Sequence, residues 1–191
     1  QKHIFPTTGA AGAIAHAIRA VTQPGDEVLT FAPYFPEYGP YVAGTGAVLK
    51  VVPPQAPTFQ PNLDAFAQML TEKVTCVLIN TPNNPTGVCL TAEQLAPLCE
   101  VCREKGIVLI ADDIYTAYCF DTPFVPAAGM PRMAGHVATV HSFSKDYCMS
   151  GWRLGYVAAP APLVQKMREI NESNVYVAPM VSQRAGLHAL A

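Results

Sequence analysis

Charge is scarce in this chain and balanced in sign. Its 191 residues hold 12 Lys or Arg and 14 Asp or Glu, a net charge of -2 with 14% charged residues. Without a basic patch or stripe there is no electrostatic footprint for nucleic acid or for an anionic membrane, so a small molecule is the expected partner. Long hydrophobic runs are also missing. No apolar stretch approaches the roughly 18 to 20 residues that cross a bilayer, and the N-terminus has neither the basic nor the apolar region of a signal peptide, which makes the cytoplasm the expected location. There is no low-complexity tract, internal repeat or recognisable linker, while half the residues are hydrophobic. The composition is that of one globular domain able to bury a real core.

What is present begins with six cysteines, at 76, 89, 99, 102, 119 and 148. Most lie in apolar surroundings such as Thr75-Cys76-Val77-Leu78-Ile79, and a chain of this length has no need of disulfide staples. Cys99-x-x-Cys102 has a spacing that can bind zinc or run redox chemistry, but no second pair accompanies it. Leu95, Leu98, Cys99 and Cys102 share one helical face, which favours core packing. The histidines, His3, His16, His136, His141 and His188, have no metal-ligand spacing, and no metal site is expected.

Short apolar segments alternate with longer amphipathic ones. Strands are expected at Glu27 to Phe31, Ala47 to Val52, Thr75 to Asn80, Ile107 to Ala111, Val137 to Ser142 and Leu154 to Ala158. Helices are expected at Ala10 to Val21, Leu63 to Leu70, Ala92 to Lys105 and Pro162 to Asn171. Runs such as Ile107-Val108-Leu109-Ile110-Ala111 are apolar on both faces, as strands of a parallel sheet covered by helices on each side must be. The pattern is α/β. Thr91 with Gln94 forms a capping box, and Gly106 stands where a left-handed residue would end that helix. Pro97 conflicts with it, since a proline inside a helix removes a donor and costs about 3 kcal/mol.

Polar residues suited to chemistry cluster just past the strand ends, where ligands gather in an open α/β sheet. Ser142-Phe143-Ser144-Lys145 with Arg153 eight residues on, Asp112-Asp113-Ile114-Tyr115, Asn83-Asn84-Pro85-Thr86-Gly87, Thr7-Thr8-Gly9-Ala10-Ala11-Gly12 and Pro33-Tyr34-Phe35-Pro36 occur in one chain. Taken singly each has a plain alternative: a solvated lysine, a turn-capping aspartate, an Asn-Pro turn, a core aromatic. Together, and in this order, they resemble the class I/II aminotransferases, pyridoxal phosphate enzymes of fold type I.

That resemblance implies a three-layer α/β/α large domain with a mostly parallel central sheet, spanning residues 1–191 as a single and apparently truncated unit. The N-terminal segment and the C-terminal small domain of such enzymes are not recognisable. It implies pyridoxal 5′-phosphate as cofactor and amino-group transfer between an L-amino acid and a 2-oxo acid. Lys145 would form the Schiff base and move the proton, its basicity lowered by burial and by Arg153. Asp112 would face the pyridine nitrogen, with Asn84 and Tyr115 donating to the phenolic oxygen. Phe35 would stack on the ring. Gly9, Ala10 and Ala11 at a helix N-terminus, with Ser142 and Arg153, would hold the phosphate. Asp113 departs from the family's usual glutamate. A homodimer is implied, approached through Ser173 to Pro179. A carbon-sulfur lyase of the same fold, and the non-catalytic sensing domain of a transcription regulator, remain alternatives.

Overall fold

The computed structural model describes residues 2–191 and has a seven-stranded sheet in the order β1-β7-β6-β5-β4-β2-β3. The strands are β1 (Ile4–Thr8), β2 (Glu27–Phe31), β3 (Val48–Val52), β4 (Val74–Asn80), β5 (Val108–Asp112), β6 (Val137–Ser142) and β7 (Leu154–Ala158). The helices are α1 (Gly9–Val21), α2 (Tyr38–Ala43), α3 (Leu63–Met69), α4 (Ala92–Lys105), α5 (Ala161–Glu172) and α6 (Met180–Ala189). β2, β3, β4, β5 and β6 run parallel, while β7 is antiparallel to both β6 and β1.

The central strands β4 and β5 are buried on both faces because they carry mostly apolar side chains to each side of the sheet. On β4, Cys76 and Leu78 join the core under α1 and α5, whereas Val77 and Ile79 join the core under α3 and α4. β5 divides likewise, Ile110 to one side and Leu109 and Ala111 to the other. The α1 face contributes Ala13, Ile14, Ala17 and Ile18, and α4 contributes Leu95, Leu98, Cys99 and Cys102. Cys99-x-x-Cys102 is therefore packed in the core, where burial pushes the Cys99 thiol up to about 11 and Cys102 to about 12. The α4 capping box forms, with Gln94 N–H on the Thr91 side chain, and Gly106 ends the helix at φ 69°.

Three elements depart from the sequence expectation. β1 contains Pro6, which an edge strand tolerates because half of its donors have no neighbour to serve. α2 has only six residues, including Gly39 and Pro40, and is held by the fully buried Tyr38 rather than by propensity. α6 turns Met180, Val181 and Leu187 to solvent and buries Ser182 and Gly186, so it presents no apolar stripe of helical period. Pro97 lies on the solvent face of α4, where water can take the Glu93 carbonyl that the ring leaves unbonded.

Candidate active site

The chain leaves β2 outward to β3, then returns to the other side of β2 and builds β4, β5 and β6 in the opposite direction. Loops beyond the carboxyl ends of the strands at such a reversal open a crevice. Asn80 is the last residue of β4 and is buried. Its Nδ2 donates to the Asp112 carbonyl at 2.8 Å, and its Oδ1 accepts the Asn84 N–H at 2.6 Å. One side chain thus fixes the end of β5 to the turn after β4. Asn83 closes that turn, accepting from the Thr86 hydroxyl at 2.8 Å.

From this turn Asn84 Nδ2 donates to the Tyr115 hydroxyl at 3.4 Å. Tyr115 accepts in that contact, so its own proton is left to donate elsewhere. Burial, with Asp112 close by, raises its ionisation above the usual phenol value and keeps the proton in place at neutral pH. Asn84, Tyr115 and Lys145 line one open cleft of about 440 Å³ together with Pro82, Asn83, Tyr118 and Phe120.

Asp112 stands behind that cleft at the end of β5, 2% exposed. Oδ2 accepts the hydroxyl of the buried Tyr38 at 2.5 Å, while Oδ1 is buried with no protein partner. Desolvation pushes the carboxyl up to about 7, against the lowering effect of the Tyr38 hydrogen bond. Asp113 is buried beside it with both carboxyl oxygens unpartnered, and burial and then the Asp112 charge push it to about 8.

α1 begins with an open N-terminus. Thr8 makes no side-chain cap, the first turn has no acidic residue, and Thr7 donates to the Gly9 carbonyl at 2.9 Å rather than to a helical N–H. Arg153 lies against this end: a Cβ added to Gly9 would meet its Nη2 at 2.7 Å. The guanidinium also donates to the Ser150 carbonyl at 2.8 Å, and Arg153 holds a left-handed φ of 49°, a conformation uncommon for a side chain of this size. Gly155 closes the group from below, since its absent Cβ would strike Gly9 C, Ala10 N and His141 O at 2.7 to 2.8 Å. Ser142 is buried at the end of β6, and its hydroxyl oxygen accepts the Ser144 N–H at 3.1 Å.

The sequence expectation has burial and Arg153 favouring a lowered basicity at Lys145. The side chain is exposed, and its nearest cationic contact is with the Tyr115 ring, Nζ lying 6.0 Å from the centroid. The loop explains this: Phe143 is buried and donates its N–H to Leu154 O, which pins the base of the loop and turns Lys145 outward. Two contacts unforeseen in the sequence tie this loop to the Tyr115 turn. Thr116 donates to Asp146 Oδ2 at 3.0 Å, and the Tyr118 hydroxyl donates to the Lys145 carbonyl at 3.4 Å.

The structure brings Asn84, Tyr115 and Lys145 to one cleft, and Gly9 with Arg153 to a second grouping. Asp112 and Phe35 line neither: Phe35 packs edge-on against Tyr38 at 5.7 Å, inside the aromatic cluster that supports Asp112. Sequence reasoning did not assign Asn80 or Tyr38. The only signal for Asn80 is a polar residue closing an apolar strand, and Tyr38 is indistinguishable from a core aromatic. Among the described residues no three metal-ligating side chains come together.

Comparison with known proteins gives the family and the fold. The profile of the family described as "Aminotransferase class I and II" covers residues 1–191. The N-succinyldiaminopimelate aminotransferase structure from Mycobacterium tuberculosis superposes with a TM-score of 0.95 at 34% identity, over 99% of this chain and 50% of that one. The aromatic aminotransferase structure from Pyrococcus horikoshii gives a TM-score of 0.94 at 32% identity, over 98% and 51%. The aspartate aminotransferase of Thermotoga maritima is 31% identical over 188 residues, 98% of this chain and 50% of the relative. The chain thus spans about half the length of the curated relatives it matches.

Proposed function

The chain belongs to the class I and II aminotransferase family, and from that premise we propose that it binds pyridoxal 5′-phosphate and serves amino-group transfer between an L-amino acid and a 2-oxo acid. The observation that carries the proposal is Asp112 Oδ1, a buried carboxylate oxygen with no partner in the protein. A protonated pyridine nitrogen is the partner it lacks, and burial is tolerable for a carboxylate so paired.

The other residues fit the same molecule. The uncapped start of α1 at Gly9, Ala10 and Ala11, with the Arg153 guanidinium against it, suits a phosphate dianion, and the Ser142 hydroxyl proton is free to join them. Asn84 Nδ2 and the Tyr115 hydroxyl are donors for a phenolic oxygen. Phe35, at the edge of the Tyr38 cluster, is the proposed aromatic neighbour of the ring. When bound, the cofactor supplies an aldehyde that takes up the amino group and a ring that draws electrons from the carbon losing its proton. Lys145 Nζ, at the open side of the cleft, carries that proton away and returns it. Asp112 keeps a proton on the ring nitrogen, and Tyr38 holds Asp112 in orientation through Oδ2.

A homodimer in the cytoplasm completes the proposal. Val175, Tyr176 and Val177 are exposed beside Met180 and Val181, an apolar surface of the kind a second copy covers. The decisive experiment incubates the protein with pyridoxal phosphate, reduces with borohydride and maps the modified peptide. Label on Lys145, lost in Lys145→Ala, is the expected result; label elsewhere or none refutes the proposal. Product analysis with a panel of amino acids and 2-oxo acids then reads the reaction, a matching oxo acid for transfer and pyruvate with ammonia for a lyase.

A further inference from the structure

Cys89 and Cys119 are the one pair of thiols in contact among the described residues. Their sulfurs stand 3.4 Å apart. Both are half-buried, outside helices and strands, and in different loops. Cys89 follows the Asn83–Gly87 turn, and Cys119 ends the short 3-10 segment Thr116–Tyr118 next to Tyr115. The remaining cysteines are unlike them: Cys76, Cys99 and Cys102 are sealed in the core, and Cys148 is exposed. None of the proposed transfer chemistry uses either residue.

We propose that Cys89 and Cys119 form a reversible dithiol–disulfide site between the two loops that carry cleft residues Gly87 and Tyr118, with a small hydroperoxide as its oxidising co-substrate. A disulfide needs the sulfurs at about 2.0 Å, so they must close by ~1.4 Å, a movement that two loop residues can make without breaking a sheet ladder. Cys119 is held protonated, pushed up to about 11 by burial and by its contact with Cys89. In this proposal Cys89 is the attacking group and Cys119 the resolving one. The Cys89 thiol sulfur takes the distal oxygen of hydrogen peroxide, the O–O bond breaks, the thiol proton passes to the departing oxygen, and a sulfenic acid and one water result. Cys119 then attacks the Cys89 sulfur, the S–O bond breaks, and the S–S bond forms with release of a second water. The two sulfurs give up two electrons and the peroxide receives them. The bond joins the loop of Asn84 to the turn of Tyr115, holding together the pair in which Asn84 Nδ2 donates to the Tyr115 hydroxyl at 3.4 Å in the reduced protein. Such a transient bond is compatible with a reducing compartment.

The test titrates the protein with hydrogen peroxide, blocks free thiols with an alkylating reagent and maps the peptides. With the peroxide reaction run on the folded protein and quenched before alkylation in denaturant, free thiols in this chain are expected to fall from six to four, with one cross-linked Cys89–Cys119 peptide, and dithiothreitol should restore all six. Cys119→Ser should lose the cross-link and accumulate a dimedone-reactive sulfenic acid at Cys89; Cys89→Ser should leave Cys119 reduced. Oxidation of Cys148 while the pair stays reduced, a cross-link between other residues, or a cross-link formed only after denaturation would overturn the proposal. No readout requires bound cofactor or transferase activity, so this proposal and the assignment of function stand or fall separately.

Discussion

Asp112 and Asp113 place two carboxyl groups side by side in the interior, and proton linkage turns that burial into a pH dependence. Their folded values, about 7 and about 8, lie above the ordinary value of 3.8 expected in the unfolded chain. Between pH 4 and 8 the folded protein therefore holds protons that the unfolded chain has released, so stability falls as pH rises through this window. Each unit of difference is worth about 1.4 kcal/mol before relaxation of the site reduces it. Thermal melts should show a falling midpoint from pH 5 to pH 8. In Asp113→Asn the slope should be shallower throughout, with a gain that grows from pH 5 to pH 8. At Asp112 the consequence is for binding. Asp112→Asn removes a charge-assisted hydrogen bond worth ~1.5–3 kcal/mol, so pyridoxal phosphate affinity should weaken on the order of 10- to 100-fold by absorbance titration. The grouping of Asn84, Tyr115 and Lys145 at one cleft was legible in the sequence because each sits in a short motif past a strand end. Asn80, Tyr38, Thr116 and Asp146 were not, because their roles come from contacts such as Tyr38 to Asp112, 74 residues apart, that no local pattern announces.

Elements were legible where burial imposes a pattern. β4 and β5 must be apolar on both faces to lie between two helical layers, and the sequence carries that requirement openly. β1 and α6 escaped notice because an edge strand and a solvent-facing helix impose no such rule on their residues. Pro97 is the point where local chemistry and fold disagree. Pro97→Ala should restore the α4 hydrogen bond to Glu93 and stabilise the protein by ~1–3 kcal/mol in urea unfolding, because the site is exposed and the new side chain meets no obstruction. Gly155 is the opposite case. A methyl group there would meet the Gly9–Ala10 peptide and the His141 carbonyl at 2.7 to 2.8 Å, so Gly155→Ala in β7 should cost ~1–3 kcal/mol and also weaken phosphate binding at the proposed Gly9 site. Inorganic phosphate titration alongside unfolding separates the two effects.

The whole molecule presents an uneven surface, with apolar side chains gathered on the 175–190 region. Val177 and Val181 are 63% and 71% exposed there. If this region is the proposed dimer surface, Val181→Asp should shift sedimentation toward monomer while changing unfolding free energy by no more than ~0.5 kcal/mol, as for an exposed substitution. A second whole-chain property follows from the antiparallel pairing of Ile4–Thr8 with Leu154–Ala158. During synthesis the first strand emerges early and has no place in the sheet until the late one leaves the ribosome. Gly9 cannot meet Arg153 before then, so the parallel strands can assemble first while the proposed anion site waits for residues 4–8 and 154–158 to be stitched together.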